Sequence, residues 1–302
     1  MLAITGASGF LGRYVVVEAL RRGYSVLTLV RPTTDETRLP WYGHPAAKVV
    51  PVDLREPASI AAALQGADAV IHLAAAKEGD YATQYASTVT ATENLLQAMA
   101  STHISRLIAI STFSVFDYQA LSIGATVTET SPIERQPAAR DIYAQTKLVQ
   151  ESLFRQFAQT QAGEVTILRP GMVYGRNYLW NASLGARKGD RFWLRIGTDA
   201  QMPLTYVENC ASAIVNAVHS PEAVGATLNI VDDDLPTQTT YANKLLTRMP
   251  SHPWVVTLRW GTMNWLAQTI WQINQGIFKG KLKVPGIFVP ARLHARFKPL
   301  RY

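Results

Sequence analysis

At 302 residues, with 48% apolar and 17% charged side chains, the chain is globular with a large core and not disordered. Its single cysteine, Cys210, excludes an internal disulfide and a thiolate metal site, and no metal is expected. The net charge of +7 is local: residues 235–302 hold ten Lys/Arg and no Asp or Glu, leaving 19 basic against 22 acidic residues elsewhere. No helix-turn-helix or RNA-binding signature accompanies that basic end, so no nucleic-acid partner is expected. The start "MLAITGASGF" has neither the basic region nor the cleavage site of a signal peptide, and no run of 18 apolar residues occurs. A cytoplasmic location is therefore the expectation.

Along the chain, "LAIT" (2–5) predicts a strand and 10–21 a helix. "SVLTLV" (25–30) and "KVVPVD" (48–53) follow as strands, then a helix over 57–65. "AVIHLAA" (69–75), a helix over 83–101, "RLIAIS" (106–111), a helix over 142–161 and "VTILRP" (165–170) continue the alternation. The strands are apolar throughout and do not alternate, as a parallel sheet covered on both faces requires. Strand and helix in turn predict right-handed βαβ units and a doubly wound α/β sheet. A helix over 207–220 and a strand at 227–232 return to it. The segments 171–204 and 233–302 have more Trp, Arg, Gly and Pro and no such rhythm, and predict a smaller, discontinuous substrate-binding lobe.

Gly6, Gly9 and Gly12 stand directly after the first strand and open the first helix. Glycines let the chain turn sharply and bring backbone N–H groups, here with Ser8, Phe10 and Leu11 between them, against a pyrophosphate at the helix N-terminus. Residues 1–170 and 205–232 are thus expected to be a Rossmann dinucleotide-binding domain. Arg31, nineteen residues after Gly12, closes a second strand that has no Asp or Glu. A guanidinium suits a ribose 2′-phosphate, so NADP(H) is favoured, with NAD(H) left open. Arg13 adds charge beside the phosphates. Asp53, followed by Leu54, either meets the adenine edge or caps the next helix.

The motifs "TGASGFLG" (5–12), "VDL" (52–54), "HLAA" (72–75), "STFSVF" (111–116), "YAQTK" (143–147), "RPGMVYG" (169–175) and "YVENCASAI" (206–214) occur in this order. The chain resembles an extended (atypical) short-chain dehydrogenase/reductase of the NAD(P)-dependent epimerase/dehydratase superfamily. The resemblance implies that Tyr143 is the general acid/base, that Lys147 binds the nicotinamide ribose and lowers the tyrosine pKa, and that Thr112 holds the reacting oxygen. Ser111 and Ser114 are the neighbouring alternatives to Thr112. It further implies cofactor contacts from Ala74, Ala75 and Ala76, and from Pro170 and Val173. Residues i and i+4 share a helix face, and unit charges ~5 Å apart at an effective dielectric of ~20 interact by ~3 kcal/mol. That lowers a tyrosine pKa of ~10 by roughly two units. Two departures stand out: Thr88 and Ala91 replace the Asn and Gly common at the start of the fourth helix, and "VFD" (115–117) replaces "VYG".

Thr112 is followed by Phe113 and Ser114 instead of the Asp-Glu that sugar-nucleotide dehydratases use. The expected reaction is hydride transfer between nicotinamide and a carbonyl or secondary alcohol of a small, lipophilic substrate. Phe113 and Phe116 suggest an apolar pocket wall, and Arg176 and Tyr178 are candidate substrate contacts. The alternatives are a nucleotide-sugar epimerase with tightly bound NAD(H) and a non-catalytic NADP(H)-binding sensor or assembly subunit. Segment 174–195 reads either as a mobile cover clamping an anionic substrate or as a solvated helical face with core aromatics. Segment 260–283 reads as a helix over a lipophilic pocket, as core, or as a peripheral membrane contact. A homodimer through 83–101 and 142–161 is implied by the resemblance.

Overall fold

The computed structural model describes residues 1–161, 163–197, 199–249 and 253–302. The chain forms two units, the first made of Met1–Val115, Ile142–Val173 and Thr205–Ile230. In it, β1 (Leu2–Thr5), α1 (Phe10–Arg21), β2 (Val26–Val30), β3 (Ala47–Pro51), α2 (Ile60–Ala63) and β4 (Ala69–His72) come first. Then follow α3 (Tyr81–Tyr85), a π-helical stretch (Ala86–Thr90), α4 (Ala91–Ser101), β5 (Arg106–Ile110), α5 (Ile142–Thr160) and β6 (Glu164–Pro170). Strands β7 (Met172–Tyr174) and β10 (Leu204–Tyr206) lie where the chain passes between units, with β8 (Ala186–Lys188) and β9 (Phe192–Ile196) between them in the second. Back in the first unit, α6 (Val207–Asn216) and β11 (Thr227–Ile230) complete it.

Seven strands make one parallel sheet in the order β11-β6-β5-β4-β1-β2-β3. The doubly wound α/β fold expected from the apolar runs is the fold found. Alternate residues of each strand feed opposite cores, which is why the runs are apolar without a break. Leu2, Ile4, Val26, Val30, Ile71 and Ile108 pack with α1 and α6 on one face. Ala3, Leu27, Leu29, Val70, Leu107 and Ala109 pack with α2, α4 and α5 on the other.

The second unit comprises Phe116–Asp141, Tyr174–Leu204 and Val231–Tyr302. The segment 116–141, assigned from sequence to the first domain, clusters here instead. Buried Arg140 donates to the Phe116 carbonyl at 2.9 Å and pairs with Glu134, while Lys298 donates to the Tyr118 carbonyl at 2.8 Å. These bonds satisfy loop carbonyls that apolar packing could not. With α7 (Gln238–Leu246), β12 (Trp254–Leu258), α8 (Trp260–Gly276) and α9 (Pro290–Phe297), this unit contains a three-stranded sheet, β12-β9-β8, its β12–β9 pair parallel. The stretch 174–195 is therefore not a helical face. Its Lys188-Gly189-Asp190-Arg191 reverses the chain into the β8–β9 hairpin, with Gly189 at φ +58°. Trp193 is fully buried and donates to the Leu184 carbonyl at 2.8 Å. Arg187 pairs with Asp190, and buried Arg195 donates to Thr239 at 3.2 Å, so these two cations are committed within the unit.

Candidate active site

The strand order sets the chains leaving β1, β4 and β5 side by side at the carboxyl edge of the sheet, where open α/β sheets bind ligands. The turn after β1 is tight. Gly6 takes φ +66°, and a Cβ there would lie 2.9 Å from the Ala74 nitrogen in the chain leaving β4. Gly9 caps α1 with no side-chain hydrogen bond, and no acidic residue occupies the first turn of α1, where Phe10, Leu11 and Gly12 follow it. The helix thus presents uncapped first-turn N–H groups and the positive end of its dipole. Buried Gly12 packs so closely that a Cβ would overlap the Gly6 carbonyl oxygen and stand 2.9 Å from the Ala7 Cα. This cradle fits a pyrophosphate. Overpacking costs ~1–3 kcal/mol, so Gly12→Ala is expected to weaken dinucleotide binding ~10–100-fold, as calorimetry would read. Unchanged affinity would exclude the turn from the cofactor site.

Around that turn, Arg13 folds back to donate to the Ser8 carbonyl at 3.0 Å. Arg31 is exposed at the end of β2. Asp53 receives the Arg55 backbone N–H at 3.0 Å and its guanidinium at 2.5–3.1 Å, so it caps a turn and not the start of a helix. The Arg55 hydrogen bond, aided by the charges of Arg55 and Arg31, pulls its pKa down to about 2. Leu54 accepts the Asn94 amide at 3.0 Å through its carbonyl. Ala74 donates to Thr5 Oγ1 at 3.3 Å, and Ala76 donates to Thr88 Oγ1 at 2.9 Å. Thr88 thereby ties the π-helical stretch to the chain leaving β4. Ala75 lies between these anchors, partly buried. Pro170 is buried at the end of β6, and Val173 packs on the core below it.

Tyr143 and Lys147 open α5 one turn apart. Lys147 is 3% exposed, and its ammonium donates to the Ile110 carbonyl at 2.6 Å and to Gln150 Oε1. Burial, with the nearby Lys77 charge, brings its pKa down to about 7, Glu151 opposing. Desolvation at the site therefore works against the cation expected from the i, i+4 spacing. The carbonyl it holds is two residues before Thr112, whose Oγ1 accepts the Ser114 N–H at 3.2 Å. The turn at Phe113–Val115 packs against α5. Ser111, the neighbouring alternative, gives its hydroxyl to Glu151 at 2.5 Å and is committed there.

Four further groups join this pair, and of them only His72 falls in a sequence motif, the "HLAA" run at 72–75. Lys77 sets its ammonium 5.8 Å from the Tyr143 ring centroid, with no carboxylate in ion-pair range among the described residues. Its side chain is open to water, yet the surrounding walls desolvate the ammonium and lower its pKa. Gln150 Nε2 reaches Thr92 Oγ1 at 2.8 Å and both His72 Nε2 and the Ala74 carbonyl at 3.2 Å. Burial and the Lys147 charge hold His72 neutral, down to about 3, and its Nδ1 meets Thr5 Oγ1 at 2.7 Å. Thr92 gives its hydroxyl to the Thr88 carbonyl at 2.5 Å, so its 2.9 Å contact with His72 Nε2 runs from the ring, which puts the proton of neutral His72 on Nε2 and leaves Nδ1 to accept the Thr5 hydroxyl. Glu151 completes the set one turn beyond Lys147. The spacing 143, 147, 151 on one helix face was the available signal for it, and Gln150 follows Lys147 at i+3 on the same helix; Lys77 and His72 meet them only in three dimensions.

Of the substrate candidates, Phe113 is buried in the first unit. In the second, Phe116 is fully buried against Tyr118, a core position and not a pocket wall. Arg176 and Tyr178 are exposed on the turn that Gly175 and Tyr178 bridge.

A parallel sheet with this strand order, glycine turn and Tyr–Lys helix is the architecture of extended short-chain dehydrogenases/reductases. Residues 2–230 match the model of the NAD dependent epimerase/dehydratase family, and the chain belongs to that family, whose members are enzymes. It is 28% identical over 225 residues to 2-alkyl-3-oxoalkanoate reductase from Stenotrophomonas maltophilia, covering 70% of this chain and 63% of that protein. It is 27% identical over 268 residues to ketoreductase sphI from Aspergillus fumigatus, covering 80% and 78%. The fold superposes on UDP-glucose 4-epimerase from Thermus thermophilus in complex with NAD, with a TM-score of 0.66, 20% identity, and coverage of 85% and 86%. The match spans less than two thirds of the Stenotrophomonas reductase. Among the described residues no helix is long and apolar enough to cross a membrane.

Proposed function

We propose that the protein is an NADP(H)-dependent oxidoreductase that reduces a carbonyl, or oxidises the matching secondary alcohol, of a small lipophilic substrate. The observation that carries this is Lys147, buried one helical turn after Tyr143 and bonded to the carbonyl two residues before Thr112. Two reductases among the relatives support it.

A bound nicotinamide supplies or accepts the hydride. The residues of this chain handle the oxygen and its proton. Thr112 donates to the substrate oxygen and fixes its distance from Tyr143. Tyr143 gives its phenolic proton to that oxygen as charge develops on it, or removes it in the reverse direction. Lys147 and Lys77 together place positive potential around the phenol and favour its deprotonated form. The neutral His72–Gln150–Thr92 network holds Lys147 in place without adding charge. Ser111 stays out of the chemistry because Glu151 holds its hydroxyl.

Arg31 is the proposed 2′-phosphate ligand. β2 has no acidic residue to meet a ribose hydroxyl, and the nearby Asp53 carboxylate is already neutralised by Arg55. Hydrogen bonds to charged groups are worth ~1.5–3 kcal/mol, so Arg31→Ala is expected to lower NADPH affinity ~10–100-fold. NADH affinity stays unchanged. Equal loss for both cofactors, or an unmodified protein without preference, would overturn the assignment. The reaction is tested with a panel of ketones, aldehydes and UDP-sugars followed by NADPH absorbance. Release of NAD(H) from the purified protein on denaturation, with turnover of a UDP-sugar only, would replace the oxidoreductase by an epimerase.

A further inference from the structure

Where α8 ends, the chain makes a shaped tip over 277–283. Ile277 is 71% exposed, Phe278 42% and Leu282 52%, and Lys279, Lys281 and Lys283 between and beside them are also exposed. Apolar burial does not form this tip; hydrogen bonds do. Asn274, 4% exposed, accepts the Leu282 N–H and donates to the Leu282 carbonyl, both at 3.2 Å, and its own carbonyl accepts the Gly280 N–H at 2.9 Å. Lys279 and Gly280 take φ of 50° and 76°, and Lys281 N–H closes on the Phe278 carbonyl at 3.0 Å. A buried polar side chain thus holds three apolar side chains out in water.

We propose that this tip seats the protein on the surface of an anionic lipid bilayer. Charge complementarity selects that occupant. None of the three lysines has an ion-pair partner among the described residues, and the chain from 235 to 302 contains no acidic residue. A second copy of the chain would set like charges against each other at a two-fold contact. A nucleic acid would use the lysines and leave Ile277, Phe278 and Leu282 in water. A bilayer with acidic headgroups satisfies both kinds of side chain. The apolar groups enter the headgroup–acyl boundary while the lysine stems extend along it and the ammonium groups meet lipid phosphate and carboxylate. The fixed shape of the loop reduces the ordering that docking requires.

The test is co-sedimentation of the full chain with sucrose-loaded vesicles of phosphatidylcholine containing about a third phosphatidylserine, at ~0.1 M salt, where charges are screened beyond ~10 Å. Binding is expected, is reversed by higher salt, and is absent with phosphatidylcholine alone. Changing Lys279, Lys281 and Lys283 together to Glu is expected to lower partitioning ~100-fold or more, at about fivefold per lysine removed. Phe278→Ser is expected to lower it about tenfold through the lost apolar contact. All four positions are exposed, and an unchanged melting temperature confirms that the fold survives. No sedimentation with the anionic vesicles, or binding that neither variant weakens, overturns the proposal. So does a dimer in sedimentation velocity that Phe278→Ser dissolves, since the tip then serves a second copy.

Discussion

Replacing Tyr143 with phenylalanine is expected to lower kcat/KM for carbonyl reduction by ~10²–10⁴-fold, the range for losing a positioned general acid. NADPH affinity should stay within about twofold, because an interaction made only in the transition state does not enter ground-state binding. The aromatic ring remains under the Lys77 ammonium, and Lys147 keeps its bonds to the Ile110 carbonyl and Gln150, neither of which involves the phenol. The readouts are steady-state rates for NADPH oxidation and calorimetric titration of NADPH on the same preparation. Rates above a tenth of the unmodified enzyme would remove Tyr143 from the proton transfer. Equal losses of rate and affinity would assign it to cofactor binding.

Glu151 carries the largest expected effect on stability. It is 4% exposed and bonds Arg169 at 2.6 and 3.1 Å, Arg155 at 2.8 Å and Ser111 at 2.5 Å, with Arg169 itself 1% exposed. Burial alone would raise its pKa, but hydrogen bonds and charge from Arg169, with help from Ser111 and Arg155, bring it down to about 2. Glu151→Ala strands a buried guanidinium, and breaking such a pair costs ~3–5 kcal/mol. The melting temperature should fall on the order of 10 °C. A double change, Glu151→Met with Arg169→Met, should be more stable than either single change, because it buries no unpaired charge. Strict additivity would show that the two groups do not act as a pair. The pH dependence has a fixed sign. The carboxylate is depressed from 4.5 when folded, so its contribution is complete above that value and disappears as pH falls through about 2. Urea titrations of the unmodified protein should lose stability across that window, and those of Glu151→Ala should lack this component.

Much of the first unit was legible because period and punctuation are local. Unbroken apolar runs separated by helical spacing specify a covered parallel sheet, and glycines at 6, 9 and 12 specify the turn that Ala74 and Ala7 crowd. Tyr143 and Lys147 were readable for the same reason, being neighbours on one helix. What joins Lys147 and Gln150, neighbours on α5, to His72 and Thr92 was not readable, because the four residues lie on three elements and meet only when β4, α4 and α5 pack. The lowered pKa of Lys147 was not readable for a related cause: spacing reports proximity, while burial sets the desolvation. In 174–195 the stronger local signal is Gly189-Asp190-Arg191, a three-residue turn between short extended runs. The exchange of 116–141 into the second unit depends on Arg140 and Lys298 finding loop carbonyls far along the chain, which no window of sequence contains.

The π-helical stretch at Ala86–Thr90 has a consequence for how this region changes length. Such a turn holds one residue more than the α-turn it interrupts, so the helical run from Tyr81 to Ser101 contains an insertion that its composition does not announce. Removing one residue there would restore an unbroken α-helix with the later turns in nearly the same phase, whereas removing one from a purely α-helical stretch rotates everything after the cut by ~100°. Thr92 would keep its place against His72 and Gln150 in the first case and lose it in the second. Substitutions along this run are a question of side-chain fit. A gap is a question of phase, and the bulge is the place where one residue can be lost without changing it.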